Sequence, residues 1–468
     1  MSSLYVAFAV GIPILWLLTQ RVESARVRQV LYLVASYAFY LSVGWRFFGI
    51  LLASSLFNYA WGSVVRRKPT ASVLWVGILA NVLLLSTFKY LPALAGLFEQ
   101  SPIARSIAHL ALPIGISFWT FQGLSYLFDQ YRGENLDPTL VEFLLYMGFA
   151  PTVLSGPICR LPELLPQFRS AERGSWQNVA WGAQSIWIGV LMITVARYLG
   201  SGWNGQGVNW GFESLSGRLS SADTWVLLIA YGLQLFFDFA GYSRVVIGLA
   251  MLFGIRLPEN FRRPFLSPTP AVFWTRWHIT LSFWIRDYLF LPIATMRREV
   301  WWRNTMLVAS MVIFGLWHKA SLLFLLWGTY QGLLLLAHRL IQQWQRRTKR
   351  SVKGPVGTAL SWLVTFAAIT LGWILFRARD WNQAGSLLAS ALNPFSGRPS
   401  ALPSDFYALV AIVAVGYVLL EWLTERLRGE GDMLSWLPIE LRYLGYATIF
   451  YFTVFHSAEP QSFIYFQF

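Results

Sequence analysis

Charged side chains are scarce in this sequence. Asp, Glu, Lys and Arg make up only 13% of its 468 residues, against 56% hydrophobic. A soluble chain carries roughly a quarter charged residues, and this one has too few to dress its apolar content in water. The same apolar content excludes intrinsic disorder. Cysteine is nearly absent. The lone Cys159 can form no internal disulfide, which excludes a disulfide scaffold and leaves the redox compartment unread. Glycine follows no fixed period, so a collagen-like chain is excluded too. There is no Walker-type phosphate loop, no dinucleotide fingerprint and no Gly-x-Ser-x-Gly elbow. No Cys or carboxylate cluster joins the histidines at metal-ligand spacing. What is present in quantity is aromatic: 17% of the chain, with 24 tryptophans. The sequence reads as an all-α polytopic membrane protein.

Lys plus Arg number 37 against 22 Asp plus Glu, a net charge of +15. Nucleic acid is not the partner this implies, because the basic residues fall in short clusters between apolar runs. They lie at Arg21–Arg28, Arg66–Lys68, Arg160–Arg173, Arg256–Arg263, Arg297–Arg303 and Arg339–Lys353. Such clusters orient a membrane protein with these loops in the cytoplasm and attract anionic lipid heads. The Ser-, Gly-, Asn- and Pro-rich segments 99–107, 201–222 and 392–404 suit the opposite face. The apolar stretch from Leu4 to Leu18 lacks a basic n-region and a small-residue cleavage site, so it reads as a first retained span.

A spanning helix needs about 20 apolar residues. Candidate spans are 3–20, 29–46, 47–64, 72–94, 108–128, 139–156, 178–199, 223–253, 321–337, 357–376, 405–424 and 439–456. Segments 271–293 and 304–318 are apolar but irregular. The expectation is roughly 11 to 13 transmembrane or re-entrant helices in one membrane domain, 1–468. Within it, 1–100 would hold N-terminal spans, 108–345 the motif-bearing core and 357–468 C-terminal spans. Arg303 and Arg339 sit in clusters assigned to one side. The runs between them would form a hairpin entering from the cytoplasm. His318, fifteen residues past Arg303 and so about 22 Å along a helix, would lie near its tip.

Ionisable residues inside apolar runs mark function. Four motifs stand out: Phe118–Gln122 running to Arg132; Phe236–Arg244, which contains Asp238 and Tyr242; Phe273–His278 running to Tyr288; and Gly315–Ala320. Of five histidines, His338 opens a basic cluster, and His109 and His456 sit near span ends. His278 and His318 each follow a tryptophan inside a motif. Imidazole titrates near neutrality and suits general acid–base work. Asp238 reads first as a structural partner of a nearby arginine and Cys159 as packing, and Ser117, within an apolar run, is not read as a nucleophile.

These motifs together resemble the membrane-bound O-acyltransferase family, and within it the bacterial alginate O-acetyltransferase membrane-subunit branch. The likeness is carried by Pro113–Phe118, Thr120–Gln122, Ser125-Tyr126, Asp129–Gly133, Ser155–Ile158 with Arg160, Asp238-Phe239 and Gly241–Ser243. It continues through Pro258–Phe261, Phe273-Trp274, Arg276–Ile279, Leu281-Ser282, Trp284–Tyr288, Gly315–His318, Trp327-Gly328 and the ending Phe463–Phe468. The resemblance implies helices around a central tunnel, with His318 as the catalytic histidine and His278 as a second functional one. Gln122, Asp238, Tyr242, Asn260, Trp274, Arg276, Trp277 and Trp317 become candidate substrate-binding residues. Lys319, where relatives usually have Gly, and Arg244, where they usually have Asp, depart from the pattern.

The implied chemistry is acyl transfer from a cytoplasmic thioester, acetyl-CoA or another, to hydroxyls of an exported polysaccharide. His318 would take the acceptor proton. His278 would orient the donor or polarise its carbonyl by a donated hydrogen bond. Arg276 and Arg286 either attract a phosphate-bearing donor or snorkel to lipid heads. No resident cofactor or metal is expected. The implied setting is the bacterial inner membrane, with membrane lipids around the chain and a periplasmic acetyltransferase partner. Alternatives are a D-alanyl or other acyl transferase served by an acyl carrier protein, and a transporter or flippase. The latter would show two related halves with broken helices, and none is visible.

Overall fold

The computed structural model describes residues 3–95, 101, 107–108, 110–134, 136–170, 172–215, 217–349, 354–395 and 398–426, with 438, 441, 444–445 and 448. His109, His456, most of 439–456 and the ending 463–468 lie outside the described residues. Most of the described residues are helical, and none of them is in a strand. The longer helices are α1 Ser3–Arg21, α2 Ala25–Val43, α3 Trp45–Arg67, α4 Ala71–Lys89, α5 Ile116–Tyr131, α6 Leu140–Gly148 and α7 Leu161–Arg169. They continue as α8 Trp176–Ser201, α9 Ser221–Leu252, α10 Val300–His318, α11 Leu322–Thr348, α12 Pro355–Arg377, α13 Trp381–Leu392 and α14 Ser404–Arg426. Among the described residues six helices are long and apolar enough to cross a membrane: α3, α4, α8, α9, α12 and α14. Their outward faces are apolar at helical spacing, as with Trp75, Leu79 and Leu83 on α4 and Leu360, Leu363 and Val364 on α12. The chain is an all-α polytopic membrane protein.

Two expected spans are broken, and one segment expected to be irregular is so. The 139–156 run divides into α6 and a short helix Ala150–Val153, because Phe149 leaves helical geometry (ψ 115°) and Pro151 starts a new turn. In the 108–128 run, residues 110–115 are not helical, and the long helix starts at Ile116, after Pro113 and a left-handed Gly115. The 271–293 run is a chain of short pieces described below. By contrast 223–253, 357–376 and 405–424 match α9, α12 and α14 within a few residues.

The chain forms two compact units, Met1–Gln184 with Val246–Glu259, and Ser185–Val245 with Asn260–Phe468. In the first, buried polar residues pair between helices. Asn58 of α3 and Asn81 of α4, at 0% and 2% exposure, exchange side-chain amide hydrogen bonds of 3.0 and 2.8 Å. Hydrocarbon offers an amide no partner, so such pairs hold membrane helices in register. In the second unit, Asp223 in the first turn of α9 accepts hydrogen bonds from Ser220, Ser400, Ala401, Leu402 and Tyr407. One carboxylate thereby ties the start of α9 to the loop before α14.

Asn81→Ala leaves the Asn58 amide short of a buried partner. It should destabilise the protein by about 1–3 kcal/mol, read as a lower thermal midpoint in detergent, while exposed Asn204→Ala leaves the midpoint unchanged.

Candidate active site

In the second unit α10 and α11 form the hairpin expected from the basic clusters. They pack backbone against backbone. A Cβ placed on Gly315 would overlap the Phe324 carbonyl oxygen, and one on Gly328 would overlap the carbonyl oxygen of Met311. Gly332 meets Val308 in the same way. Glycine is required here by proximity, as at small-residue crossings in membrane helices. The turn is short: Ser321 caps α11 by accepting from Phe324 N at 3.4 Å.

His318 ends α10 at this turn and is 5% exposed. Aromatic rings enclose it. Phe314 and Trp317 from its own helix lie at 4.8 Å between ring centroids. Trp327 of α11 stands edge-on at 5.5 Å and Phe376 of α12 at 5.3 Å. These walls touch one another: Trp327 and Phe376 are 5.1 Å apart, and Phe324 and Phe376 are 4.9 Å apart. Aromatic side chains fix such a pocket at low entropic cost, having only two rotatable angles each.

The second histidine sits in an irregular stretch. Thr269 caps the short helix Pro270–Trp274 by accepting from Val272 N at 3.2 Å. The chain then turns through His278, whose φ of 43° is left-handed, a conformation a non-glycine residue adopts only where its surroundings impose it. Two backbone hydrogen bonds impose it: Arg262 N to Arg276 O and Ile279 N to Asn260 O, both 2.9 Å. Helix Ile279–Trp284 follows and widens into a π-helical turn, Ile285–Phe290, a feature common at functional sites. His278 is 2% exposed. Phe239 of α9 meets its ring edge-on at 4.7 Å, and Phe261 lies stacked at 6.4 Å. Its Nδ1 lies 3.1 Å from Oδ1 of Asn260.

The two histidines are joined through rings. Phe261 touches Trp277 (5.2 Å), Trp277 touches Trp373 (5.3 Å), Trp373 touches Phe376 (5.9 Å), and Phe376 touches His318. Trp274 touches Phe314 and Trp327, both of which wall His318. Trp274 and Phe314 also line a cavity of about 200 Å³, mostly apolar, with Arg286 on its wall. Trp274, Trp277, Trp317 and Asn260 are therefore brought into this one cluster with the histidines. Asp238 and Tyr242 lie on α9 beside Phe239, with Asp238 buried. Arg276 donates to the Leu266 carbonyl at 3.2 Å. Arg286 is exposed, pairs with Asp287 at 2.7 Å and lies 4.4 Å over the Phe283 ring. Gln122 belongs to the first unit, where it exchanges hydrogen bonds with Tyr146. Lys319 is exposed at the hairpin turn.

Phe314, Trp327 and Phe376 were not legible as site residues. The Trp327 and Trp274 indole Nε1–H groups are buried, and neither has a hydrogen-bond partner among the described residues. Buried donors in this state call for an explanation. Among the described residues no group of three or more His, Cys, Asp or Glu is placed to hold a metal.

The described residues build a helical membrane bundle with a ring-enclosed histidine at a hairpin turn, and comparison with known proteins gives the chain its family. Residues 47–376 match the membrane-bound O-acyltransferase family (MBOAT), and the chain belongs to it. It is 32% identical over 388 residues to a probable alginate O-acetylase of Azotobacter vinelandii, covering 78% of this chain and 73% of that protein. A peptidoglycan O-acetyltransferase of Helicobacter pylori is 31% identical over 391 residues, covering 76% and 72%. A teichoic acid D-alanyltransferase of Bacillus subtilis is 29% identical over 352 residues, covering 71% and 84%. The protein is thus a multi-pass membrane O-acyltransferase.

Gly315→Ala should force α10 and α11 apart at His318 and lower both acyl transfer and thermal midpoint. Gly385→Ala, where a Cβ meets nothing within 4 Å, should leave activity intact and raise helix stability by about 0.5–1 kcal/mol.

Proposed function

We propose that this enzyme moves an acetyl group from a cytoplasmic thioester, acetyl-CoA, to hydroxyl groups of an exported polysaccharide, with His318 as general base. The observation that carries the reading is the enclosure of His318 by rings at the turn of the α10–α11 hairpin. An imidazole so enclosed is shielded from bulk water, as a base must be if the acyl group is to reach an alcohol instead of being hydrolysed. The acceptor hydroxyl attacks the thioester carbonyl. Its proton passes to His318, the new C–O bond forms, the C–S bond breaks, and the His318 imidazolium returns that proton to the departing thiolate, which leaves as the thiol and restores the base. The indole N–H groups of Trp327 and Trp274 are the donors available to the carbonyl oxygen as negative charge develops. Arg286, on the cavity wall with Trp274, suits the phosphates of the donor, and His278 binds the donor. The names of the alginate and peptidoglycan relatives support a polysaccharide acceptor. The basic loops favour the bacterial inner membrane, and transfer onto the polymer itself would then use a periplasmic acetyltransferase partner.

The teichoic acid D-alanyltransferase relative supports a second reading, transfer of a carrier-bound aminoacyl group. The two separate in one assay. Purified protein in lipid nanodiscs should release thiol from radiolabelled acetyl-CoA without any carrier protein and label extracted polysaccharide. A requirement for an acylated carrier selects the second reading. A native protein that uses neither acetyl-CoA nor an acylated carrier overturns both readings.

In that assay His318→Ala should lower the rate by about 10²–10⁴. Trp327→Phe, which keeps the ring and removes the N–H, should lower kcat by about 10². Both variants leave a cavity and should lower the thermal midpoint, so circular dichroism at the assay temperature should show each still folded where its rate is read.

A further inference from the structure

Three hydrogen-bonding groups converge on one oxygen of Asn260. The Thr280 backbone N–H lies at 3.3 Å from Oδ1, the Thr280 hydroxyl at 2.9 Å and His278 Nδ1 at 3.1 Å. A backbone N–H only donates, so the amide atom it meets is the oxygen. Nδ2 then points to Ser243 Oγ at 3.4 Å. An amide oxygen only accepts, so His278 carries its proton on Nδ1. In the neutral ring the other nitrogen, Nε2, then holds a lone pair and no proton.

We propose that Asn260 is a positioning residue that locks His278 in the Nδ1–H form, so that His278 meets the acyl donor as a hydrogen-bond acceptor at Nε2 and not as a donor to the oxyanion. This rests on the reading above in which His278 binds the acyl donor. The amide N–H groups of a pantetheine-type arm are the kind of donor such a nitrogen holds. The ring has little freedom to do otherwise. Its backbone is fixed in the left-handed region by the pairing of Asn260 and Arg262 with Ile279 and Arg276. Phe239 and Phe261 pack against its faces and edge. Asn260 itself is 1% exposed, and its side-chain oxygen is already engaged by His278 and Thr280. It therefore acts through the histidine, and this sets it apart from the substrate-binding role its motif suggested.

The test is nitrogen NMR of histidine-labelled protein in lipid bilayers, with His278 assigned by the resonance lost in His278→Ala. The native ring should show a protonated Nδ1 and a bare Nε2, and Asn260→Ala should give a mixture of the two forms. Asn260→Asp, whose carboxylate accepts from the same three groups, should keep the native form. In the transfer assay Asn260→Ala should cost about 10- to 100-fold in kcat/KM for the thioester, and Asn260→Asp should recover most of it. In a His278→Ala background, Asn260→Ala should cost less than about twofold more, because two residues acting as a unit are not additive. A native proton on Nε2 overturns the proposal. So does full additivity in the double variant, or an Asn260→Asp protein as impaired as Asn260→Ala. If His278→Ala leaves transfer unchanged, the donor-binding role falls and takes the proposal with it. If His278→Ala abolishes transfer while the native proton sits on Nε2, the proposal falls alone.

Discussion

The contact on which the active region depends is the approach of two backbones, α10 to α11, with glycine on both sides of the crossing. Gly315 and Gly328 remove the side chains that would hold the helices apart, and the carbonyls of Phe324 and Met311 fill the space. Because Gly315 lies one turn before His318, the same contact that closes the hairpin sets where the imidazole sits. Trp327, next to Gly328, faces that imidazole from the opposite helix of the hairpin. Helix α12 completes the enclosure through Phe376, and the Tyr330 hydroxyl anchors it by donating to the Ala368 carbonyl at 2.7 Å. Van der Waals packing does this work, since lipid gives two helices no hydrophobic reason to associate.

The His278 region meets the opposite difficulty. Irregular backbone is costly in a membrane protein unless each polar group finds a partner within the protein. The segment 260–294 lowers that cost with a short backbone pairing, a side-chain cap at Thr269 and a π-turn instead of one continuous helix, while the Trp274 indole N–H stays unpaired among the described residues. Asn260 serves this segment twice, its main-chain carbonyl accepting from Ile279 and its side chain from Thr280 and His278. The hairpin holds its histidine by close packing, and this segment holds its own by hydrogen bonds.

Much of this architecture was legible in the sequence because apolar run length and basic clusters are read one residue at a time. The uninterrupted spans around α9, α12 and α14 were found this way, and the hairpin followed from arithmetic on Arg303, His318 and Arg339. The breaks at Phe149 and Gly115 were missed because apolar composition alone does not report a residue leaving helical geometry. His278 and His318 stood out as ionisable groups among tryptophans. Phe314, Trp327 and Phe376 did not, since an aromatic residue in an aromatic-rich apolar run carries no local mark of what it faces. Asn260 was picked out by motif, but its engagement with His278 is a matter of distance across eighteen residues and has no signature in spacing.

The glycine contacts also fix the length of the hairpin. Gly315, Gly328 and Gly332 oppose particular carbonyl and Cα positions on the facing strand, so α10 and α11 fit at one setting and cannot slide smoothly past each other. One added or deleted residue between 322 and 328, within α11, would turn every later residue of that helix by about 100° and present side chains where only hydrogen fits. Natural variation in chain length should therefore be excluded from this stretch. At Gly205, by contrast, a Cβ meets nothing within 4 Å, so the tip of the loop around 201–207 can take added residues where the hairpin cannot.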